Sequence, residues 1–589
     1  MAIRPEYPRP QFFRDSWLSL NGEWDFRMDD RNEGLSNRWY ENGGESGAFD
    51  RKIVVPFCYQ SPLSGIGENE FHDVVWYRKK FRVPEKEAGK RTILHFGAVD
   101  YDAQVWLDGQ HVCSHEGGNA SFSIDITDAL VGDEHTVVVR AQDYFEDMAL
   151  PRGKQYWKEK GEVMWFTNMT GIWQTVWLEF VNPVWLDRVK FTPHLDTNEI
   201  EMETFIQGLP PKGRAELTVE ITFAGSLVAK ETVWAGERES RRINLQDFND
   251  HGFGRWWSPE KPNLYHAAFT LNVDGIQSDR VTSYFGMRKI SIEAGKVCLN
   301  NKPYPMKLVL DQGYFPDGIL TAPSDEAIRL DVELCKKMGF NGMRKHQMVA
   351  DPRYLYWCDR LGVLVWGEMA NAYAYSEEYA YRMTQEWGEV IRRDYNHPCI
   401  VAWVPLNESW GVPDILIDPK QRHHAMALYH FTKSVDSTRL VLSNDGWEHC
   451  LSDLCTVHDY SQDRGVLLER YGNLDRILND MTGRKFIYAP GYRYEGEPIM
   501  VTEFGGVNLR VTEKSPHVTP CAVNEKDFLD RLVDVIHPMV VSGLVQGYCY
   551  TQLTDTETEI CGLLTWDREP KIPLELIRLI NEGEIVDSL

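Results

Sequence analysis

Short apolar runs alternate with helical patterns along the C-terminal half of the chain, beyond about residue 290. Parallel strands read as near-continuous apolar runs because helices cover both faces of their sheet. Eight such strands in about 300 residues predict a closed (β/α)8 barrel. One helix is predicted from Asp325 to Met338, with Ser324 as its N-cap. The strands are predicted near residues 305–310, 340–344, 363–367, 399–404, 439–443, 455–458, 498–502 and 545–550.

Two of these strands end on a glutamate. The fourth leads through residues 403–410 (WVPLNESW) to Glu408, and the seventh through residues 499–506 (IMVTEFGG) to Glu503. The C-terminal ends of barrel strands form the rim where active sites of this fold lie. Strands four and seven reach the mouth from opposing sides, so their carboxylates can meet across it. Two carboxylates are the minimum equipment for cleaving a glycosidic bond.

The surroundings of the two glutamates suggest different roles. Retaining hydrolysis needs one carboxyl that donates a proton and a second that attacks the anomeric carbon, roughly 5 to 5.5 Å apart. Trp403 and Trp410 flank Glu408 in sequence, and desolvation by aromatic rings would favour a proton donor. Gly505 follows Glu503 and lets the backbone approach a ligand, which suits a nucleophile. The alternative is that each glutamate caps a helix or pairs with a cation.

The N-terminal half consists of short alternating segments broken by Gly, Asp and Asn. Between about residues 16 and 182, period-two alternation with a turn signal every ten or so residues predicts an antiparallel sandwich. Asp108-Gly109 marks the tip of a hairpin in this region. The next stretch, residues 183–287, has a length that suits a seven-stranded immunoglobulin-like sandwich.

Charge and composition narrow the class of partner. The 589 residues carry a formal charge of −25, whereas duplex nucleic acid is bound by clustered Lys and Arg. The sequence has no signal-peptide pattern and no apolar run long enough to span a bilayer, so we expect a soluble, cytoplasmic protein without nucleic-acid or membrane partners. The 11 cysteines are scattered without zinc spacing, which indicates reduced, buried thiols.

The motifs in combination resemble glycoside hydrolase family 2, the group of β-galactosidases, β-glucuronidases and β-mannosidases. Residues 396–403 (NHPCIVAW), leading to Asn407-Glu408, are similar to the acid/base signature of that family. Residues 502–505 (TEFG) match its nucleophile strand. The resemblance extends over essentially the whole chain, with residues 171–179 (GIWQTVWLE) and 284–290 (YFGMRKI) closing the two N-terminal modules.

This resemblance implies an architecture and a set of roles. We expect a sugar-binding-like jelly roll over residues 1–182, an immunoglobulin-like sandwich over 183–287 and a catalytic TIM barrel over 288–589. Glu408 is implied as general acid/base, Glu503 as nucleophile, and Asn407 as the residue that hydrogen-bonds the sugar 2-hydroxyl. A turn residue is the alternative for Asn407. No cofactor and no metal are expected, because retaining chemistry requires neither; a homo-oligomer is expected by resemblance.

The second barrel strand departs from the family pattern. Arg344 and His346 keep the residue types of the family, whereas its better known members usually carry a small residue and an aromatic one where this chain has Lys345 and Gln347. We expect Lys345 to place an additional ammonium near the pocket for the glycone, the sugar that is released. The alternative is a surface lysine at a strand end.

The segment after the eighth strand departs as well. A β-glucuronidase would carry an Asn-x-Lys pair here to hold the uronate carboxylate, but this chain has Glu559-Ile560-Cys561. A glutamate receives a carboxylate only when protonated, so glucuronide hydrolysis is disfavoured. A uronate held from another side, by Lys345 or Arg493, stays open.

Other residues that follow barrel strands are candidate substrate contacts. Asp311 and Gln312 are candidate hydroxyl ligands, and His458 stands in a His-x-Tyr arrangement with Tyr460. A structural role is the alternative for each. Three more pocket candidates are a histidine and two tryptophans, whose rings stack well on an apolar sugar face: His449, Trp447 and Trp566.

The chain is therefore expected to be an exo-acting retaining β-glycosidase that acts on a small glycoside or oligosaccharide. The expected glycone is galacto-configured, either galactose or galacturonate. Within the same family, β-glucosidase, β-mannosidase, β-glucuronidase and fucosidase-like activities are the alternatives. The alternative from another class is a carbohydrate-binding protein whose barrel is catalytically inactive.

Overall fold

The structure is a computed structural model that describes residues 3–41, 48–209, 214–245, 254–511 and 520–585. Two β-rich regions precede a barrel of parallel strands. No helix in the described ranges is long and apolar enough to cross a membrane.

The first region is a sandwich of antiparallel sheets. Its strands are β1 (Trp17–Ser19), β2 (Gly22–Met28), β3 (Arg51–Val55), β4 (Val74–Phe81), β5 (Arg91–Phe96), β6 (Val99–Asp100), β7 (Asp102–Leu107), β8 (Gln110–Glu116), β9 (Phe122–Asp125), β10 (His135–Gln142), β11 (Gly171–Ile172) and β12 (Val176–Val181). The two main sheets have the orders β3-β2-β4-β10-β7-β8 and β1-β12-β5-β9. Phe26, Val75 and Leu94 are fully buried between them, as the period-two pattern predicts. Asp108 and Gly109 form the predicted hairpin tip with φ angles of 49° and 86°.

The second region is the predicted immunoglobulin-like sandwich of seven strands. They are β13 (Trp185–His194), β14 (Glu199–Gln207), β15 (Ala215–Phe223), β16 (Ser226–Trp234), β17 (Arg238–Asn244), β18 (Tyr265–Val273) and β19 (Ile276–Phe285). The sheets have the orders β13-β14-β17 and β16-β15-β18-β19. Leu217, Val219 and Ile221 alternate with half-buried neighbours and face the core, because successive side chains of a strand point to opposite faces.

A small sheet leads into the barrel, whose eight predicted strands are all present. The small sheet comprises β20 (Ile290–Glu293), β21 (Lys296–Leu299) and β22 (Lys302–Pro303). The barrel strands are β23 (Met306–Asp311), β24 (Gly342–Lys345), β25 (Leu364–Glu368), β26 (Ile400–Val404), β27 (Leu440–Val441), β28 (Cys455–Asp459), β29 (Ile499–Gly505) and β30 (Val545–Thr551). They pair in parallel in the order β27-β26-β25-β24-β23-β30-β29-β28.

Helices pack around the barrel. They are α1 (Asp325–Lys337), α2 (Pro352–Leu361), α3 (Glu377–Asp394), α4 (Pro419–Val435), α5 (Arg464–Tyr471), α6 (Leu474–Asn479), α7 (Glu525–Val541) and α8 (Leu574–Glu582). The prediction for α1 is confirmed, including its cap: the Ser324 hydroxyl accepts a hydrogen bond from the backbone N–H of Ala327 at 3.2 Å.

One loop of the first region reaches the barrel mouth. This segment, residues 143–170 between β10 and β11, is called the jelly-roll loop below. The Gly153 N–H donates to the carbonyl of Asn371 at 2.9 Å, and the Tyr373 hydroxyl donates to the Gly153 carbonyl at 2.7 Å. On another side of the mouth, the Thr167 N–H donates to the Glu557 carboxylate at 3.0 Å. Two domains therefore wall the space above the strand ends.

Candidate active site

Arg344, at the C-terminal end of β24, occupies the centre of the barrel mouth and is fully buried. Its guanidinium contacts three carboxylates: Glu503 at 2.8 Å, Asp445 at 3.0 Å and Glu368 at 3.0 Å. It also donates to the Asn407 side-chain oxygen at 2.6 Å. The planar, always charged fork of an arginine fixes these groups relative to one another.

Glu503 ends the apolar run of β29, and its carboxylate is held on both oxygens. Oε1 accepts from Arg344 at 2.8 Å, and Oε2 accepts from the Tyr460 hydroxyl at 2.5 Å. Burial alone would raise the pKa of this carboxyl, but the charges of His458 and Arg344 lower the pKa of Glu503 far below its usual range. The group is therefore an ionised carboxylate at neutral pH.

Glu408 follows β26 on a backbone that its neighbours hold in place. Glu408 and Ser409 have φ angles of 53° and 62°, in the left-handed region that non-glycine residues rarely adopt. The Asn407 N–H donates to the Asn371 side chain at 2.9 Å, and the Glu408 N–H donates to the Asp445 carbonyl at 3.0 Å. Such backbone strain persists where the surroundings over-determine it, which is common at functional sites.

His458 at the end of β28 lies between the two glutamates. Its Nδ1 is 2.7 Å from Glu408 Oε1 and 3.6 Å from Glu503 Oε2, and its Nε2 is 3.4 Å from Asp445 Oδ2. Burial lowers the pKa of an imidazole, but the three surrounding carboxylates outweigh it and raise the pKa of His458 to about 10. The ring is thus an imidazolium at neutral pH, and its Nδ1 faces the Glu408 carboxyl.

The two glutamates face each other at close range. One carboxylate oxygen of Glu408, one of Glu503 and a ring nitrogen of His458 all lie within 4.8 Å of one another. Carboxyl groups about 5 to 5.5 Å apart are typical of retaining glycosidases, whereas inverting enzymes separate them by about 6.5 to 9.5 Å. The spacing matches the retaining class.

The aromatic surroundings expected for Glu408 are only partly present. The Trp403 ring points into the helix layer, where its Nε1 donates to Asp436 at 2.8 Å and its face meets Trp387 edge-on at 5.5 Å. Trp403 therefore does not desolvate Glu408, and the expectation that it does so is wrong. The group in direct contact with the Glu408 carboxyl is His458, at 2.7 Å, which sequence spacing alone did not reveal as its partner.

A second buried pair lies beneath the cluster. His346 Nδ1 is 3.1 Å from Glu368 Oε1 and 3.9 Å from Glu503 Oε1. Burial lowers the pKa of His346 well below its usual value, and the nearby Lys154 and Arg344 charges act in the same direction. Burial raises the pKa of Glu368 to about 8, although Arg344 opposes the shift.

The expectation that Lys345 and Asp311 line the pocket is wrong. Lys345 Nζ lies 2.7 Å from Asp311 Oδ2 and 4.3 Å from the centre of the Tyr354 ring in the helix layer. Side chains alternate along a strand, so Arg344 inside the barrel requires its neighbour Lys345 to point outward. Asp311 pairs with Lys345 across the two strands and faces the same way.

Arg493 also lies apart from the glutamates. Arg493 precedes β29, at the opposite end of the strand from Glu503, with a side chain that is 86% exposed and 3.9 Å from Glu495. Its expected role as a uronate ligand is therefore wrong. The Trp566 ring contacts Arg568 at 5.9 Å, and that guanidinium reaches Asp331 of α1 at 3.2 Å.

Four further expected contacts border the carboxylate cluster: Tyr460, Trp447, Gln312 and Glu559. Tyr460 donates to Glu503 as described, and Trp447 meets His458 edge-on at 5.3 Å. Glu559 accepts a hydrogen bond from Gln312 at 3.2 Å; burial raises the pKa of Glu559, and the Lys154 charge opposes this rise. His449 is instead a structural residue, because its Nε2 is bound to the backbone of Thr456 at 2.9 Å.

Sequence reasoning missed three residues of the site. Asp445 and Glu368 hold Arg344, and both follow or end barrel strands, a signal that would have found them. Lys154 belongs to the jelly-roll loop and is 8% exposed. Its Nζ lies 5.4 Å from the centre of the Trp410 ring. No local sequence pattern around Lys154 predicts that its side chain reaches a site in another domain.

Metal-ligand side chains cluster twice in the described ranges, with ligand atoms within 4.8 Å of one another. The clusters are Glu408, His458 and Glu503, and Asp359, His397 and Cys399. Both ring nitrogens of His458 already contact carboxylates. Asp359 is hydrogen-bonded to the His397 ring and to the Cys399 N–H. Hydrogen bonds within each cluster account for both arrangements.

Comparison with known proteins gives matches along the length of the chain. Three family models match in succession: the sugar binding domain of glycosyl hydrolases family 2 at residues 17–181, glycosyl hydrolases family 2 at residues 184–288, and the TIM barrel domain of that family at residues 291–579. These are the three regions seen in the fold.

Individual relatives are distant. A beta-galactosidase of Thermoanaerobacter pseudethanolicus is 27% identical over 69% of the chain, and the match spans 54% of that enzyme, about half its length. A beta-glucuronidase of Canis lupus familiaris is 24% identical over 97% of the chain and 91% of its own. The solved structure of a Lactobacillus rhamnosus beta-glucuronidase superposes with a TM-score of 0.77 at 20% identity, covering 100% of both chains, which supports the fold.

Proposed function

Because the chain belongs to glycosyl hydrolases family 2, we propose that this glycoside hydrolase is an exo-acting β-glycosidase that works by double displacement. The observation that carries the proposal is the spacing of Glu408 and Glu503, whose nearest oxygens lie within 4.8 Å of each other. A separation this short favours the retaining class, whose carboxyl groups lie closer together than those of inverting enzymes.

In the first step, Glu503 attacks the anomeric carbon while Glu408 gives its proton to the glycosidic oxygen. The leaving alcohol departs protonated, and the sugar stays bound to Glu503 as an ester. Arg344 and Tyr460 hold the attacking carboxylate in position. His458 Nδ1, 2.7 Å from Glu408 Oε1, orients the carboxyl that donates the proton.

In the second step, a water replaces the leaving alcohol. Glu408, now a carboxylate, removes a proton from that water as it attacks the anomeric carbon, and the bond to Glu503 breaks. Both catalytic carboxyls return to their starting states, and the product keeps the β configuration.

Asn407 is assigned to the 2-hydroxyl of the glycone. Its side-chain oxygen accepts from Arg344 at 2.6 Å, which leaves the amide NH₂ as the group available to the sugar. A hydrogen bond to the 2-hydroxyl that tightens as positive charge develops at the anomeric carbon lowers the barrier.

For the glycone we propose a galacto-configured sugar, either galactose or galacturonate. The Thermoanaerobacter relative is a beta-galactosidase, and Glu559 stands where a β-glucuronidase would carry its Asn-x-Lys pair. Glucuronate is the second candidate, since the relative that matches 97% of the chain is a beta-glucuronidase. The assembly is proposed to be a homo-oligomer, which sedimentation velocity would test.

A panel of 4-nitrophenyl β-glycosides tests both levels of the proposal. We expect turnover of the galactoside or galacturonide, a first product in the β configuration by NMR, and a loss of roughly 10³-fold or more in Glu503→Gln. Strong turnover of the mannoside or glucuronide without the galacto sugars would contradict the glycone. An α product, or full activity in Glu503→Gln, would contradict the mechanism.

A further inference from the structure

Lys154 enters the active site from a different domain. The jelly-roll loop that carries it is anchored to the barrel on both sides of the residue. Gly153 donates to the Asn371 carbonyl at 2.9 Å, and the Tyr373 hydroxyl donates to the carbonyls of Gly153 at 2.7 Å and Gln155 at 2.8 Å. The position of the lysine backbone is thus determined by the strand ends of the barrel.

The ammonium of Lys154 differs from those of comparable lysines. In the described ranges, three lysines are more than nine-tenths buried: Lys154, Lys345 and Lys571, at 8%, 6% and 4% exposure. Lys345 is paired with Asp311 at 2.7 Å and Lys571 with Asp555 at 2.6 Å. Lys154 has no carboxylate within ion-pair distance among the described residues. Burying an unpaired charge is costly, so a partner supplied from outside the chain would relieve it.

The ammonium of Lys154 lies 5.4 Å from the centre of the Trp410 ring, beside the carboxylate cluster. Its charge helps to lower the pKa of Glu503 and opposes the rise in the pKa of Glu559, and among charged residues it is the strongest influence on Glu559. Glu559 follows β30 and Asn407 follows β26, four strands away in the barrel order and thus across the mouth. If Asn407 holds the 2-hydroxyl, the far side of the ring, with C4 and C5, lies toward Glu559.

We propose that Lys154 is a specificity residue that binds the C5 carboxylate of a β-hexuronide in the glycone subsite. This inference rests on the proposed function. Of the two types of glycone considered there, a neutral hexose and a hexuronate, it favours the hexuronate. The ammonium supplies the cation that the missing Asn-x-Lys pair would otherwise provide. Burial raises the pKa of Glu559, which lessens its repulsion of the same carboxylate.

The test compares each uronide with its matching neutral sugar. The substrates are the 4-nitrophenyl β-galacturonide, β-glucuronide, β-galactoside and β-glucoside. The variants are Lys154→Met, which keeps the length without the charge, and Lys154→Arg, which keeps the charge. Lys158→Met is the matched control, because Lys158 lies in the same loop with a side chain that is 60% exposed. Circular dichroism and melting temperature check folding.

We expect the wild type to prefer a uronide to its matching hexoside. Lys154→Met should lower kcat/KM for that uronide about 10- to 100-fold, the worth of a charge-assisted hydrogen bond, with most of the loss in KM. The hexoside should lose far less, Lys154→Arg should retain part of the preference, and Lys158→Met should match the wild type.

Two results would overturn the inference while leaving the proposed function intact. One is a wild type that cleaves hexosides and no uronide. The other is an equal loss on uronide and hexoside in Lys154→Met, which would make the lysine a hydroxyl ligand or a structural residue. If none of the four glycosides were cleaved, or if Glu503→Gln stayed active, the proposed function itself would fail.

Discussion

At the scale of single residues, the site is organised by one cation with more carboxylate neighbours than it can neutralise. Arg344 contacts Glu503, Asp445 and Glu368. The surplus negative charge is reduced because one of the three carboxyls holds a proton. The pKa values of Glu503 and Asp445 are lowered, whereas burial raises the pKa of Glu368 to about 8. Glu503, the proposed nucleophile, therefore stays ionised because the neighbouring carboxyl of Glu368 is protonated.

The proton-donor role of Glu408 predicts a dependence on the leaving group. Glu408→Ala should slow cleavage of poor alkyl leaving groups roughly 10²- to 10⁴-fold, because these need protonation as the bond breaks. A 2,4-dinitrophenyl glycoside needs no such help and should lose much less. Steady-state rates across a leaving-group series measure the difference, with the exposed Glu495→Ala as control. Equal losses at every leaving group would remove Glu408 from the acid role.

The raised pKa of Glu368 predicts a pH-dependent contribution to stability. Its pKa moves from 4.5 in the unfolded chain to about 8 in the fold, so between these values the folded state binds the additional proton. Stability from this group is present below about pH 4.5 and is lost as pH rises through 8. Glu368→Gln mimics the protonated form, so the melting temperature of the wild type minus that of the variant should fall between pH 5 and 8. A constant difference would contradict the assignment.

The sequence predicted the site residues that stand at the ends of apolar strands. It misplaced residues where the in-and-out alternation of side chains along a strand was not taken into account. Glu408 and Glu503 were found because each ends an apolar run. Lys345 and Asp311 were misplaced because an inward Arg344 already sends the next side chain outward. Lys154 was out of reach, since its place depends on how two domains dock.

At the scale of elements, the jelly-roll loop is shaped by one glycine. Gly153 has a φ of +61°, and a Cβ built on it would lie 2.0 Å from the Gln347 carbonyl oxygen. Any other residue would push the loop away from the strand ends of the barrel. The loop thus depends on close backbone contact that only glycine permits.

Gly153→Ala should therefore damage activity more than stability. The displaced loop moves Lys154, and a shift of about 1 Å in a binding group can cost roughly 10²-fold in rate. The control is Gly132→Ala, which has a φ of +90° with nothing within 4 Å of the added Cβ. This control shares the backbone strain without the clash. If both variants kept wild-type kcat/KM on the preferred glycoside, the loop would have no part in the site.

Strands and the helix α1 were predictable because their patterns are local. The eight barrel strands and Ser324 at the helix start follow from apolar runs and cap chemistry. The contacts of the jelly-roll loop have no such pattern: Gly153 and Asn371 are 218 positions apart, and their hydrogen bond depends on the docked domains. How two domains dock depends on the complementary shapes of their surfaces, which a single sequence does not reveal.

At the scale of the whole molecule, the N-terminal segment ties the three domains together. The Arg4 guanidinium reaches the Ala322 carbonyl of the barrel at 2.9 Å. Arg14 joins the other two domains: it contacts Glu179 of β12 at 2.8 Å and Asp279 of β19 at 2.9 Å. A site assembled from two domains needs such ties, because a rotation of the jelly roll would carry Lys154 with it.

Arg14→Met tests this tie. The arginine, Glu179 and Asp279 are 4%, 1% and 8% exposed in their side chains, so the variant leaves buried carboxylates short of a cation, a loss of roughly 3–5 kcal/mol. Calorimetry should show a lower first unfolding transition, while Arg82→Met, at 72% side-chain exposure, should not. The double variant Arg14→Met with Asp279→Asn should lose less stability than the sum of the losses in the two single variants, because either substitution alone already breaks the contact. Strict additivity would mean that Arg14 stabilises the two domains independently and does not couple them.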